Sequence, residues 1–209
     1  MENGTIRGWY KVCEWITRFA FLNTIWIMLT LLGLGVFGFF PATVSMLVIV
    51  RKWLHKEEVD LIKTFWENYK LCFVRSNILG SILIGIWFVF YYDMVYFFKF
   101  NILITNILSL LLLLLLAILS LMIVYVFPLY AHYNLTVKDY LKNAFILVVM
   151  FPFSSFFLFL IIIGSLSLIR LYPGYIFFSG SIMSYLIMYH SLRLFSKLQL
   201  KHRKIIKVN

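Results

Sequence analysis

Gly33-x-Gly35-x-x-Gly38 spells the pattern with which a glycine-rich turn cradles a dinucleotide pyrophosphate. Glu57 and Glu58 follow where an acidic side chain would meet a ribose hydroxyl. That chemistry needs a strand before the glycines and a soluble βαβ unit around them. Here the glycines lie between two apolar runs of membrane length, so they read as a helix break or a close helix contact, and no cofactor is expected. His55, His132, His190 and His202 fall into no metal-ligand spacing, and Cys13 and Cys72 make neither a metal nor a redox pair. Both cysteines read as small apolar fillers. No serine sits in a nucleophile elbow and no phosphate-binding P-loop is present. Acidic residues number only 8, and four of them fall between positions 51 and 75, which leaves too few inward-facing groups for acid–base work. The expectation is a protein with no catalytic residue and no metal, and not an enzyme.

One carboxylate stands apart. Asp93, in Tyr91-Tyr-Asp-Met-Val-Tyr96, falls inside a predicted span, where charge is costly and each ionisable group is a candidate site for an ion or ligand. It is the candidate intramembrane polar site. Its place near the outer end, with Lys99 close by and tyrosines around it, also fits an interfacial anchor. Glu14 and Arg18 have the spacing of a local helical ion pair. Gly180-x-x-x-Ser184 allows close helix approach. Two glycosylation sequons, Asn3-Gly-Thr5 and Asn134-Leu-Thr136, fall in stretches assigned to the cytoplasm and are read as chance.

The elements that carry these residues follow from composition. Of 209 residues, 63% are hydrophobic and 13% charged, about half the charged fraction of a soluble domain. Long unbroken apolar runs exclude a barrel, whose strands would alternate. Four runs reach the roughly 20 residues that a spanning helix requires: Asn77 to Phe98, Asn101 to Phe127, Ala144 to Ile169, and Gly174 to Leu192. The stretch from Phe19 to Val50 is long for one span and short for two. Its glycines and Pro41 predict a tight hairpin, with one helix from Phe19 to Val36 and the next from Pro41 to Leu54. The first apolar run is too long for a signal peptide and lacks a cleavage site.

Charge orients the chain. The net charge is +11, carried in short stretches between apolar runs. This suits anionic lipid head groups rather than nucleic acid. Basic residues cluster before the first span, in the segment from Arg51 to Arg75, around Lys138 and Lys142, and in the tail from Arg193 through Lys197, Lys201, Arg203, Lys204 and Lys207. Basic segments favour the cytoplasmic side. The prediction is an all-α polytopic transmembrane bundle of about six spans with both termini in the cytoplasm. Five spans result if the Pro41 segment is re-entrant or interfacial. The domain plan is one membrane domain, 1–209: an N-terminus (1–18), a helical hairpin (19–54), an amphipathic cytoplasmic segment (55–76), spans three and four (77–127), a cytoplasmic loop (128–143), spans five and six (144–192) and a basic tail (193–209). Within the amphipathic segment Val59, Ile62, Trp66, Tyr69 and Phe73 recur every three or four residues between Lys63, Glu67 and Lys70, which predicts a partner-docking or interfacial helix face. A second such stretch runs from Leu135 to Asn143. Pro128 and Pro152, with Gly33, Gly35, Gly38 and Pro41, are the expected break or packing points. Each amphipathic stretch follows a proline-bearing span or span end, which hints at a weak 3+3 repeat.

Phe39-Phe-Pro-Ala-Thr43, Arg51-Lys-Trp53, Thr64-Phe-Trp66, Asn77-Ile-Leu-Gly80, Phe127-Pro-Leu129 with Ala131, and Leu141-Lys-Asn-Ala144 with Pro152 together resemble the YesL-like family of bacterial membrane proteins of unknown function. The likeness runs from Trp15 to Leu198; Phe151-Pro-Phe-Ser-Ser-Phe-Phe is more aromatic than the family pattern. The resemblance implies a five- or six-helix membrane protein, often encoded beside ATP-binding-cassette carbohydrate importers and enzymes that degrade plant polysaccharides. It carries over no catalytic or substrate-binding residue. The expected function is a non-enzymatic accessory component of a carbohydrate importer, with importer subunits as partners. The permease itself is not expected, because the Glu-Ala-Ala…Gly ATPase-coupling pattern is absent. The alternatives are a stand-alone transporter and, third, a membrane enzyme with His132, Asp139 and His190 in one cytoplasmic pocket.

Overall fold

A bilayer offers no hydrogen bonds, so a long apolar chain must satisfy its backbone within itself, and here it does so by helices. The computed structural model describes the backbone of residues 2–100 and 102–206 and the side chains of residues 9–100 and 102–198. The side chains of the Asn3-Gly-Thr5 sequon, Arg7, Asn101, His202 and the tail residues Lys201, Arg203, Lys204 and Lys207 lie outside the described residues. The elements are α1 (Glu2–Leu32), α2 (Val36–Leu54), α3 (Leu61–Phe98), α4 (Leu103–His132), α5 (Val137–Met150), α6 (Pro152–Leu171), a 3-10 turn (Pro173–Tyr175) and α7 (Ile176–Ile206), with no strand among the described residues. Among the described residues five helices are long and apolar enough to cross a membrane: α1 from Trp9, α2, α3, α4 and α6. The last helix, α7, is long enough, but Ser179, Ser181, Ser184 and Ser191 interrupt its apolar sequence, and all four are buried.

Four boundaries depart from those read in the sequence. The hairpin break falls at Gly33–Gly35, ahead of Pro41. Leu34 and Gly35 take positive φ (60° and 74°), and α2 starts at Val36. Pro41 therefore sits inside α2. A proline there leaves the carbonyl four residues earlier without its N–H. That carbonyl belongs to Phe37, and the Asn77 amide of α3 donates to it at 2.9 Å. The amphipathic segment does not form a helix of its own. From Leu61 it is continuous with the third span in one 38-residue helix. At 1.5 Å per residue α3 is about 57 Å long, nearly twice the hydrocarbon thickness.

The fourth helix runs through Pro128 without stopping and ends at His132, so Pro128 packs within a helix rather than breaking one. Most of the expected 128–143 loop is thus helical. The predicted span from Ala144 to Ile169 is instead interrupted at Phe151 (φ −128°, ψ 60°), where α5 ends and α6 starts with Pro152. Proline disfavours the α conformation in the residue before it and suits the first helical position itself. The two halves of the chain are accordingly built differently around their amphipathic stretches.

Packing centres on α2, which is buried almost continuously from Phe40 to Val50. Leu22, Ile49, Phe65, Cys72 and Met188 fill the cluster around it, and Leu79, Leu83, Tyr125, Leu147 and Leu158 fill a second one between α3, α4, α5 and α6. Small residues allow the closest approaches. A Cβ built on Gly38 would stand 2.3 Å from the Thr30 carbonyl oxygen, and one built on Gly80 would stand 2.4 Å from the Phe40 ring. The buried Asn23 of α1 ties on α7, donating to Ile176 O (2.9 Å) and accepting from the Ser181 amide (3.1 Å).

Candidate functional site

One end of the bundle gathers the basic residues. Trp15 of α1 meets Trp53 of α2 edge-on at 5.7 Å. Arg51 of α2 reaches the last turn of α4, donating to Ala131 O at 2.6 Å and His132 O at 3.4 Å. These are carbonyls left free at a helix C-terminus, where a cation is also favoured by the helix dipole. Tyr130 of α4 stacks on Tyr140 of α5 (5.1 Å, 23°). The Tyr140 hydroxyl donates to Tyr133 O (2.7 Å) and accepts from the Leu135 amide (3.0 Å), pinning the connection between α4 and α5. Burial pushes the Tyr140 hydroxyl above its ordinary pKa, and the Leu135 amide and nearby Arg75 offset this in part.

Between these elements lies a cavity of about 640 Å³. Its walls are Val44, Val48 and Arg51 of α2, Asn68, Leu71, Cys72 and Arg75 of α3, and Tyr130 to Asn134 with Tyr140. A second chamber of about 460 Å³ shares Arg75, Tyr130, Asn134 and Tyr140 and extends to Leu79, Leu135, Thr136 and Val137. Two guanidinium groups line this space, and none of the lining residues is acidic. The single ion pair among the described residues is Arg18 with Glu14 at 2.5 Å, away from the cavity. Sequence reasoning did not assemble this site, because its two arginines and its tyrosines come from segments far apart in the chain.

The sequence-derived candidates are distributed as follows. Ile62 and Trp66 point outward from the first turns of α3, 63% and 46% exposed. Lys70 lies over the Trp66 ring at 5.3 Å. Tyr69 does not belong to that outer face. It is buried, and its hydroxyl donates to Leu29 O at 3.1 Å. Phe73 and Val59 pack against the core, and Val59 precedes α3. The expected five-residue docking face is thus reduced to Ile62 and Trp66. Asp93 is exposed on α3 outside the bundle interior. Gly33 and Gly38 face one another across the hairpin, and Pro128 is buried.

Of the three residues that would serve an enzyme, only His132 lines the cavity. Asp139 accepts from the Thr136 hydroxyl (2.6 Å) in the N-cap of α5, and His190 packs on Phe157. Among the described residues no three His, Cys, Asp or Glu side chains gather where they could hold a metal ion.

Comparison with known proteins places this architecture. Residues 19–94, the span of the hairpin and most of α3, match the family described as "Protein of unknown function, DUF624". The uncharacterised protein YteU of Bacillus subtilis (strain 168) is 35% identical over 186 residues, covering 88% of this chain and 83% of its own length. The chain belongs to this family of YesL-like proteins. Two further relatives from the same organism span nearly the whole chain. The uncharacterised protein YesV is 32% identical over 197 residues (93% of this chain, 95% of its own), and the uncharacterised protein YesL is 26% identical over 208 residues (98% and 97%). No solved structure matches the chain.

Proposed function

We propose that this chain is a non-enzymatic, multi-pass protein of the bacterial cell membrane, with its basic end in the cytoplasm, that serves as an accessory component of an ATP-binding-cassette carbohydrate importer. The observation that carries the reading is the outer face of the first α3 turns. Ile62 and Trp66 stand exposed beside Lys63 and Lys70, on a helix too long to lie wholly within the bilayer. An exposed tryptophan is the kind of side chain most enriched among the anchors of protein interfaces. The family resemblance supplies the class of partner. The separation of His132, Asp139 and His190 supports a non-enzymatic role.

The test is purification of the tagged protein in mild detergent from its native host grown on plant polysaccharide. Importer subunits are expected in stoichiometric amounts with the wild type. They are expected to be lost with the Ile62→Ala, Trp66→Ala double variant, while its elution profile stays unchanged. Recovery of this protein alone from the wild type would refute the reading.

A second reading, a solute transporter in its own right, draws on the polar cavity. Against it, apolar side chains close the bundle beyond that cavity, with Phe40 stacked on Phe127 (5.8 Å, 15°) and Leu79 and Leu83 buried. Solute flux into proteoliposomes holding this protein alone would favour the transporter.

A further inference from the structure

We propose that the cavity between α2, α3, α4 and α5 is a binding site for a phosphate-bearing anion, with Arg75 and Arg51 as its cationic ligands. The inference rests on the membrane reading of the basic end and is independent of the importer. Four observations carry it. Both arginines line one half-open cleft, Arg51 partly buried and Arg75 exposed, and none of its lining residues is acidic. Arg51 is held by the carbonyls of Ala131 and His132, which spend part of its donor set and fix its direction. Arg75 has no ion-pair partner among the described residues and stands at the junction of the two chambers, near enough to the Tyr130 and Tyr140 hydroxyls to act on them electrostatically. Asn68 and Asn134 add neutral amide donors to the same walls.

A guanidinium offers planar, paired N–H donors that match two oxygens of a phosphate. Two of them lining one cleft act on the same group together, which scattered surface lysines do not. The second chamber continues the site over Leu79, Leu135 and Val137, so an apolar tail can follow the anion into it. A phospholipid head group and a soluble phosphate both supply the anion, and the experiment separates them.

The protein would be purified in a neutral detergent, stripped of co-purified lipid, and placed in phosphatidylcholine nanodiscs. Binding is read as thermal stabilisation against two probes in separate arms: an increasing fraction of phosphatidylglycerol in the disc, and inorganic phosphate added to the buffer. Wild type is expected to show a saturable shift in at least one arm. Arg75→Gln is expected to weaken binding at least about tenfold, because it removes a charge-assisted contact. Arg75 makes no side-chain hydrogen bond among the described residues, so this variant is expected to melt like wild type without probe. Lys142→Gln, which removes the same charge outside the cavity, is expected to bind as wild type does. A shift with phosphatidylglycerol alone identifies a lipid head group, and a shift with inorganic phosphate alone identifies a soluble ligand. The proposal is overturned if neither probe shifts the wild type, or if Arg75→Gln and Lys142→Gln behave alike.

Discussion

Replacing Gly38 by alanine tests the packing at the heart of the hairpin. The added Cβ would stand 2.3 Å from Thr30 O and 2.8 Å from Leu29 O. Ordinary contact needs roughly 3.4 Å or more, so α1 and α2 must part by about 1 Å at this level. The neighbours are backbone atoms and cannot swing aside. Leu29 O also accepts the Tyr69 hydroxyl, so the same displacement loosens the tie between α1 and α3. Overpacking of this kind costs about 1–3 kcal/mol, and the weakened buried hydrogen bond adds about 1 kcal/mol. Gly85 and Gly164 are mid-helix controls, since a Cβ there meets nothing within 4 Å. Alanine at those positions is expected to be neutral or to stabilise by up to about 1 kcal/mol through helix propensity. The assay is reversible unfolding of the purified protein in mixed micelles with increasing denaturing detergent. Equal midpoints for Gly38→Ala and Gly164→Ala would refute the argument.

Two other substitutions probe single hydrogen bonds. Asn77→Ala leaves Phe37 O without the donor that substitutes for the missing Pro41 N–H, a loss of about 1–3 kcal/mol. Pro41→Ala restores that N–H, so the two changes are expected to be less than additive in a double-mutant cycle read by the same unfolding assay; simple additivity would contradict the assignment. Tyr140→Phe removes the hydroxyl that clamps Tyr133 O and the Leu135 amide. Faster hydrogen exchange at Leu135, with α2 amides unchanged, is the expected outcome, and unchanged exchange at Leu135 would contradict the clamp.

The class of fold was legible because apolar runs of spanning length admit helices and little else. The hairpin was legible from Gly33 and Gly35, but its boundary was not. Pro41 looks like a helix start until Asn77, which lies 36 positions further on, is known to satisfy Phe37 O. The docking face shows a different limit. Recurrence every three or four residues defines a stripe on a helix, yet lipid and protein interior are equally apolar, so periodicity does not say which side a stripe faces. Tyr69 and Phe73 turned inward for this reason, while Ile62 and Trp66 did not. The length of α3 was hidden because Lys63, Lys70 and Arg75 end the apolar run without ending the helix. The cavity was illegible altogether. Arg51 reads as a basic residue at the end of a span and Arg75 as a loop charge, and only the meeting of α2 and α3 with the α4–α5 connection makes them neighbours.

The proposed topology puts the basic end of the bundle, with Arg51, Arg75 and the cavity they line, in the cytoplasm. Cys13 is exposed on α1 two residues before Trp15, and Cys72 is buried in the core. Labelling the native cysteines with a membrane-impermeant maleimide therefore reports the side on which this end lies. Protection of Cys13 in intact cells, with labelling of Cys13 once the membrane is permeabilised, is the predicted result. Labelling of Cys13 in intact cells would contradict it.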